Sequence, residues 1–332
     1  MVAADMRAVI ATRAGGPEVL QVSDVPDPRP RPDEVLVRVA AAGVNFMDTY
    51  RRSGTYRMPF PHLVGSEGAG EVVAVGDDVT SLAPGDRVAW ASAEGSYAEL
   101  VAVRETDALP VPPGVDDATA AALPLQGMTA HYLVSSTFPL DNGHDVLLHA
   151  GAGGVGLLLT QLAAARGARV ISTVGSADKE RLARAAGASD VIRYRELSDL
   201  TTELPALVRD LTGGRGVHVV YDGVGRDTFD ASLASLARRG TLVLFGASSG
   251  QVPPVDLQRL NAAGSVFVTR PTLGHHTATR EELQWRADEL FDAVAAGALD
   301  VRVGATYPLA DAADAHRALE GRATTGKVLL LP

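Results

Sequence analysis

The chain has 332 residues, enough for two domains each with its own core. It contains no cysteine, which excludes disulfides, thiolate catalysis and every zinc site that needs a cysteine ligand. A formal net charge of -10 speaks against nucleic acid as the main partner, and no apolar run is long enough to cross a bilayer.

The N-terminal residues 6–10 lack the apolar core and cleavage site of a secretory signal, so the cytoplasm is the expected compartment. Residues 7–10, 20–22 and 34–39 read as antiparallel strands. Pro26, Pro28, Pro30 and Pro32 form an extended linker between them. Residues 43–54 are a short polar-aromatic segment rather than a core strand, and residues 61–76 place four glycines in a turn before another strand. Short strands broken by Gly and Pro suggest an irregular β-barrel-like domain through about residue 125.

From Thr129 the pattern becomes alternating strands and helices. Strands are expected at 145–149, 169–174, 190–192, 217–221, 241–245 and 264–269, with helices over about 155–166, 178–186, 201–212 and 227–237. That rhythm predicts a doubly wound parallel sheet. Helices over 281–296 and 311–320 and a strand over 327–331 close the chain and are assigned back to the first domain. The expected division is 1–127 with 270–332 for the β-rich domain, and 128–269 for the sheet domain.

The centre of the sheet domain is the run from Asp145 to Gly156, a strand entering a glycine loop and then an apolar helix. Gly151, Gly153 and Gly156 have the G-x-G-x-x-G spacing of a dinucleotide site, with Gly154 and Val155 between them. One glycine makes the tight turn, one lets the backbone approach a pyrophosphate, and one packs helix on strand. Helix-start N–H groups then hold the phosphates.

With this loop, Asn45-Phe46-Met47-Asp48 and Gly65-Ser66-Glu67-Gly68-Ala69-Gly70 make the chain resemble the medium-chain dehydrogenase/reductase superfamily. Tyr221-Asp222-Gly223-Val224-Gly225, Phe245-Gly246-Ala247-Ser248-Ser249-Gly250, Thr269-Arg270-Pro271 and Arg322-Ala323-Thr324-Thr325-Gly326 are similar to its zinc-free NADPH:quinone oxidoreductase branch, the zeta-crystallin-like enzymes. The likeness runs over nearly the whole chain. It implies an α/β protein with a GroES-like catalytic domain, a Rossmann domain, a cleft between them and a homodimer. Zinc alcohol dehydrogenases of the superfamily carry His where this chain has Ser66, and they add a catalytic Cys and a four-Cys lobe. The eight histidines show no ligand spacing, so no metal is expected.

The resemblance places Asn45 beside the nicotinamide and Tyr50 near the substrate, with Asp48 the third polar member of their segment. Turn capping is the alternative for Asn45 and Asp48. Gly127, Thr129 and Tyr132 are carried over as nicotinamide and ribose contacts, and Phe245, Gly246, Ala247, Val268, Thr269, Arg270 and Arg322 as cofactor-cleft residues. About 20 residues past the loop, where NAD sites place an acid, stand Gly175, Ser176, Asp178 and Lys179. Asp178 comes slightly late for that acid, whereas a hydroxyl, a cation and helix-start N–H groups suit a 2′-phosphate. The resemblance adds Tyr194, and NADPH is the expected cofactor. Ser176 as a plain N-cap and Lys179 as a surface charge remain the alternative.

Gly246-Ala247-Ser248-Ser249-Gly250 also matches the nucleophile elbow of hydrolases, but Pro253 and Pro254 follow where an elbow needs a helix. The expected activity is hydride transfer from NADPH to a quinone or conjugated enone without metal. No side chain reads as a general acid, leaving solvent or the Tyr50 hydroxyl to supply the proton. A 2-alkenal or enoyl-thioester reductase, and a non-catalytic crystallin-like or RNA-associated NADPH-binding protein, are the rival readings.

Overall fold

The computed structural model describes residues 5–332, so residues 1–4 of the expected first domain lie outside it. The chain parts into two units, Met1–Met128 with Thr279–Pro332, and Thr129–Ala278.

The first unit opens with β1 (Asp5–Ala11), β2 (Leu20–Pro26), β3 (Glu34–Val44), α1 (Phe46–Ser53), β4 (His62–Leu63), β5 (Glu67–Val75), β6 (Arg87–Trp90), β7 (Leu100–Arg104) and β8 (Leu109–Pro110). Helices α2 (Asp117–Ala122) and α3 (Pro124–Tyr132) follow. In the second unit come β9 (Asp145–Leu148), α4 (Gly154–Ala165), β10 (Arg169–Val174), α5 (Ala177–Ala185), β11 (Asp190–Arg193) and α6 (Leu200–Leu211). It continues with β12 (Val217–Asp222), α7 (Phe229–Ser235), β13 (Leu236–Leu244), α8 (Gln258–Ala262) and β14 (Phe267–Thr269). The tail returns to the first unit with α9 (Arg280–Ala295), β15 (Val303–Pro308), α10 (Ala312–Glu320) and β16 (Lys327–Leu331).

In the first unit a sheet of order β15-β16-β3-β5-β6-β8, with β7 also on β3, stands beside a three-stranded sheet β2-β1-β4. Alternate residues of β3, Val35, Val37 and Val39, enter a core shared with Val88, Trp90, Val328 and Leu330. The polar-aromatic segment after β3 is the eight-residue helix α1, which ends on Gly54 in the left-handed conformation at φ 80°.

The second unit has six parallel strands in the order β11-β10-β9-β12-β13-β14. The order reverses at β9, between its neighbours β10 and β12, and ligands bind at the carboxyl ends beside such a switch point. β9 is buried at all four residues, as a central parallel strand must be. The sixth strand begins at Phe267 rather than 264, because Gly264 and Ser265 turn through positive φ, 107° and 55°. The unit ends after Ala278, where the sequence reading set its edge at 269. Two contacts tie the intervening residues to it: Arg270 donates to the Leu244 and Gly246 carbonyls, and the His276 ring stacks on Tyr132 at 4.3 Å.

Candidate functional site

The glycine loop leaves β9 through Ala150, whose φ of 56° is a left-handed turn that a non-glycine residue adopts only under constraint. A Cβ on Gly151 would overlap Ser172 Oγ. On Gly156 it would clash with the Ala150 carbonyl oxygen and lie 2.9 Å from the Gly151 backbone. Gly153 is the N-cap of α4, and Gly154 and Val155 form its first turn, so their N–H groups lack helical partners. Ser172 Oγ is buried without a partner beneath the loop. A cradle with no room for side chains, free helix-start donors and an orphaned hydroxyl fit a pyrophosphate.

Beneath the loop, His149 bridges Thr173 Oγ1 and Ser232 Oγ, each at 3.0 Å, and Ser232 and Thr228 donate to the buried Asp222 carboxylate. Burial pushes the His149 pKa down, with Asp222 acting the other way. This network ties β9, β10, β12 and α7 together under the loop.

The strand after the loop delivers the second part of the site. β10 and β11 run parallel with Val174 opposite Arg193, so Gly175 and Tyr194 leave the sheet side by side. A Cβ on Gly175 would come 2.9 Å from the Tyr194 hydroxyl and 3.4 Å from Arg195 Nε. Ser176 caps α5 by accepting the Lys179 N–H at 3.4 Å, which is the capping role open to it on sequence grounds. Arg195 brings a further cation beside Gly175, one that sequence reading did not single out.

At the same carboxyl edge the turns after β12 and β13 nest. Phe245 N donates to Asp222 O, and Ser248 N and Ser249 N donate to Gly223 O and Val224 O. Gly246 packs on Gly223 so closely that a Cβ would meet the Gly223 carbonyl at 2.6 Å. Ala247 is buried in this turn, Val268 and Thr269 lie on β14 beside it, and Arg270 holds it from the far side. Ser249, the second serine, donates to Val224 O and accepts from Asp227 N, and the next helix begins only at Gln258. There is no strand-to-helix elbow here. Thr129 is buried, and Tyr132 lies stacked on His276 as a core aromatic of this unit.

In the first unit Asn45, Asp48 and Tyr50 are brought together by α1. The Asn45 N–H donates to Asp48 Oδ2 at 2.9 Å, locking the helix start. Asn45 is 3% exposed, and both ends of its amide are held. Nδ2 donates to Glu67 Oε2 at 2.8 Å, while Oδ1 accepts from Lys327 Nζ at 2.9 Å. Lys327 also pairs with Glu67, and Glu67 Oε1 accepts the Leu125 N–H at 2.7 Å.

Asp48 accepts from Ser66 Oγ and from the Tyr97 hydroxyl, each at 3.0 Å. Burial lifts its pKa, against these donors and Arg51, which favour the charged form. Behind Tyr97, His316 Nε2 lies 3.2 Å from the hydroxyl, and His316 Nδ1 lies 3.0 Å from Arg52 Nη1. Arginine only donates, so Nδ1 accepts, Nε2 carries the proton, and Tyr97 donates onward to Asp48. Burial, with Arg52 adding to it, holds His316 down at about 3. Tyr50 stacks edge-on against Tyr56 at 5.4 Å, a neighbour that sequence reading missed. Arg322 lies apart from this cluster in sequence, in the turn after α10, with φ 56°.

Ser66, at the position of the zinc-ligating histidine in the alcohol dehydrogenases, is thus committed to Asp48 and Arg51. Among the described residues no group of three or more His, Cys, Asp or Glu side chains is placed to hold a metal.

The alcohol dehydrogenase GroES-like domain matches residues 31–113 and the zinc-binding dehydrogenase domain matches residues 154–291. A quinone oxidoreductase of Pseudomonas aeruginosa is 47% identical over 320 residues, which cover 96% of this chain and 97% of that protein. A mycobacterial structure complexed with NADPH has a TM-score of 0.95 at 54% identity, covering 98% of this chain and 100% of that one. Escherichia coli quinone oxidoreductase, also complexed with NADPH, has a TM-score of 0.94 at 44% identity, covering 98% and 100%. With this similarity end to end, the chain belongs to the zinc-free quinone oxidoreductase branch of the medium-chain dehydrogenase/reductase superfamily.

Proposed function

We propose that the chain is an NADPH-dependent quinone reductase, working in the cytoplasm as a homodimer. The observation that carries this reading is the side-chain-free cradle at Gly151, Gly153 and Gly156 in a chain 47% identical to a quinone oxidoreductase. Bound NADPH supplies a hydride to an electrophilic acceptor. The loop N–H groups hold the pyrophosphate, with Gly154 and Val155 at the positive end of α4. Gly175, Ser176, Lys179, Tyr194 and Arg195 receive the 2′-phosphate, where a hydroxyl pair and two cations favour the extra charge. Phe245, Gly246, Ala247, Val268, Thr269 and Arg270 line the cofactor at the sheet edge, with Thr129, Tyr132 and Arg322 as further contacts.

Asn45, Asp48 and Tyr50 serve the reacting end. Because the Asn45 amide is held by Lys327 and Glu67, its orientation is set before ligands arrive, which is the preorganisation that positioning requires. The exposed edge strand β14, with Phe267 at 60% exposure, supports dimerisation there.

The test is NADPH oxidation by the purified protein against quinones, 2-alkenals and enoyl thioesters, with and without a chelator. Quinones are expected to be reduced fastest, with no chelator effect. Turnover confined to the alkenals or thioesters would sink the quinone reading, and loss of activity restored by zinc would sink its metal-free form.

A further inference from the structure

An acceptor that takes a hydride gathers an electron pair on its carbonyl oxygen, and that oxygen then needs a proton. Asp48 is poorly suited to give one, since three donors converge on it: Asn45 N, Ser66 Oγ and the Tyr97 hydroxyl. His62 is different. It stands on β4 at 8% exposure, and its Nε2 is buried with no hydrogen-bond partner. Its Nδ1 lies 3.1 Å from the Pro59 carbonyl oxygen. A carbonyl only accepts, so Nδ1 keeps its proton, and Nε2 is either a bare lone pair or, in the imidazolium, an N–H donor. A buried polar atom left open in this way calls for a ligand or a chemical role.

His62 lines a small pocket with Asp48, Arg51, Met58, Val64 and Glu94. The Arg51 guanidinium has five donors, one of which goes to Ser66 Oγ at 2.8 Å. The pocket thus offers a cation, a titratable imidazole and an apolar wall within one unit of the chain.

We propose that this pocket receives the carbonyl oxygen of a quinone or conjugated enone, that Arg51 stabilises the oxyanion, and that His62 is the acid that protonates it. This rests on the reading of the chain as an NADPH-dependent reductase. As hydride adds to the acceptor, the carbonyl π pair moves onto oxygen. The Nε2–H bond of the His62 imidazolium breaks, its electron pair stays on Nε2, and an O–H bond forms on the acceptor. Nδ1–H remains on the Pro59 carbonyl throughout, and solvent returns a proton to Nε2. The charged groups facing His62 are Asp48, Arg51 and Glu94, with Tyr97 and His316 behind Asp48.

The experiment measures kcat against pH with NADPH and a naphthoquinone for wild type, His62→Gln, His62→Phe and Arg51→Met. Wild-type kcat is expected to fall about tenfold per pH unit above the apparent pKa of the acid. His62→Gln keeps a donor but does not titrate. It is expected to lose on the order of 10²-fold in kcat and to remove the pH slope, while NADPH Kd by fluorescence stays within about twofold. Arg51→Met is expected to lower kcat while retaining the slope.

A His62→Gln enzyme with wild-type kcat and slope would overturn the assignment. So would a flat wild-type profile from about pH 5 to 9, a result independent of how any variant folds. Wild-type protein that binds NADPH but reduces no quinone or enone would instead defeat the reductase reading, and the assignment with it.

Discussion

Lys327→Met exposes the logic of the buried pair that holds Asn45. Lys327 is 1% exposed and Glu67 not at all, so the ammonium and carboxylate neutralise each other out of water. Removing the ammonium leaves the Glu67 carboxylate with the Asn45 Nδ2 and Leu125 N–H donors at 2.8 and 2.7 Å. Breaking one side of a buried pair costs about 3–5 kcal/mol, and two retained donors place this case near the lower end, at about 3 kcal/mol. With a urea slope of about 2 kcal/mol per molar, the unfolding midpoint should fall by about 1.5 M. Both tryptophans, Trp90 and Trp285, lie in the first unit, so tryptophan fluorescence follows that unit alone. Glu67→Gln with Lys327→Met leaves no buried charge and should recover most of the loss, to within about 1 kcal/mol of wild type. A single-variant shift below about 0.5 M, or a double variant no better than the single, would refute the reasoning.

Gly156→Ala presses a methyl on the Ala150 and Gly151 backbone, which no rotamer relieves, and should cost about 1–3 kcal/mol in thermal melts with weakened NADPH binding. Gly153→Ala meets its nearest atom only at 3.2 Å and should be milder; equal effects would dismiss the steric account. Lys179→Ala and Arg195→Ala should each raise KM for NADPH far more than for NADH, whereas equal rises would remove both from the 2′-phosphate site. Burial and Arg52 hold His316 at about 3 in the folded protein, below the ordinary histidine value of about 6.5, so the unfolded chain binds its proton first as pH falls. Its contribution is complete above about 6.5 and is lost on acidification through the window down to about 3, so His316→Gln should flatten the acid limb of stability there. Phe267→Lys on the exposed edge of β14 should shift a dimer toward monomer in sedimentation, and an unaltered dimer would place the interface elsewhere.

The glycine loop was legible because its requirement is local and steric. Three glycines fall within six residues, two of them, Gly151 and Gly156, with no room for a Cβ, and the strand and helix on either side announce themselves by apolar runs. Helix α1 was harder to read, since it is only eight residues long and the residues it buries, Asp48, Thr49 and Arg52, are polar, although Asn45, Asp48 and Gly54 spelled out both of its ends. Strand β15 was harder to read because its alternating Val303, Ala305 and Tyr307 are only half-buried at the sheet edge, and Gly304 and Pro308 beside them are poor strand formers.

What sequence cannot hold is a partnership across hundreds of residues. Glu67 and Lys327 read separately as a turn residue and the start of a last strand, and only the antiparallel registers of β5 and β16 on β3 bring them to Asn45. Arg195 was one exposed arginine among many until the parallel register of β10 and β11 put it beside Gly175. His62 is the extreme case. Set in Pro59-Phe60-Pro61-His62 it reads as loop filler, and neither spacing nor composition distinguishes it from the other seven histidines. Its meaning comes from two facts that exist only in three dimensions, a carbonyl that fixes the proton on one nitrogen and the lack of any partner for the other. A residue defined by what it does not touch leaves no mark on the chain, so buried groups without partners are where a structure adds most to a sequence of known family.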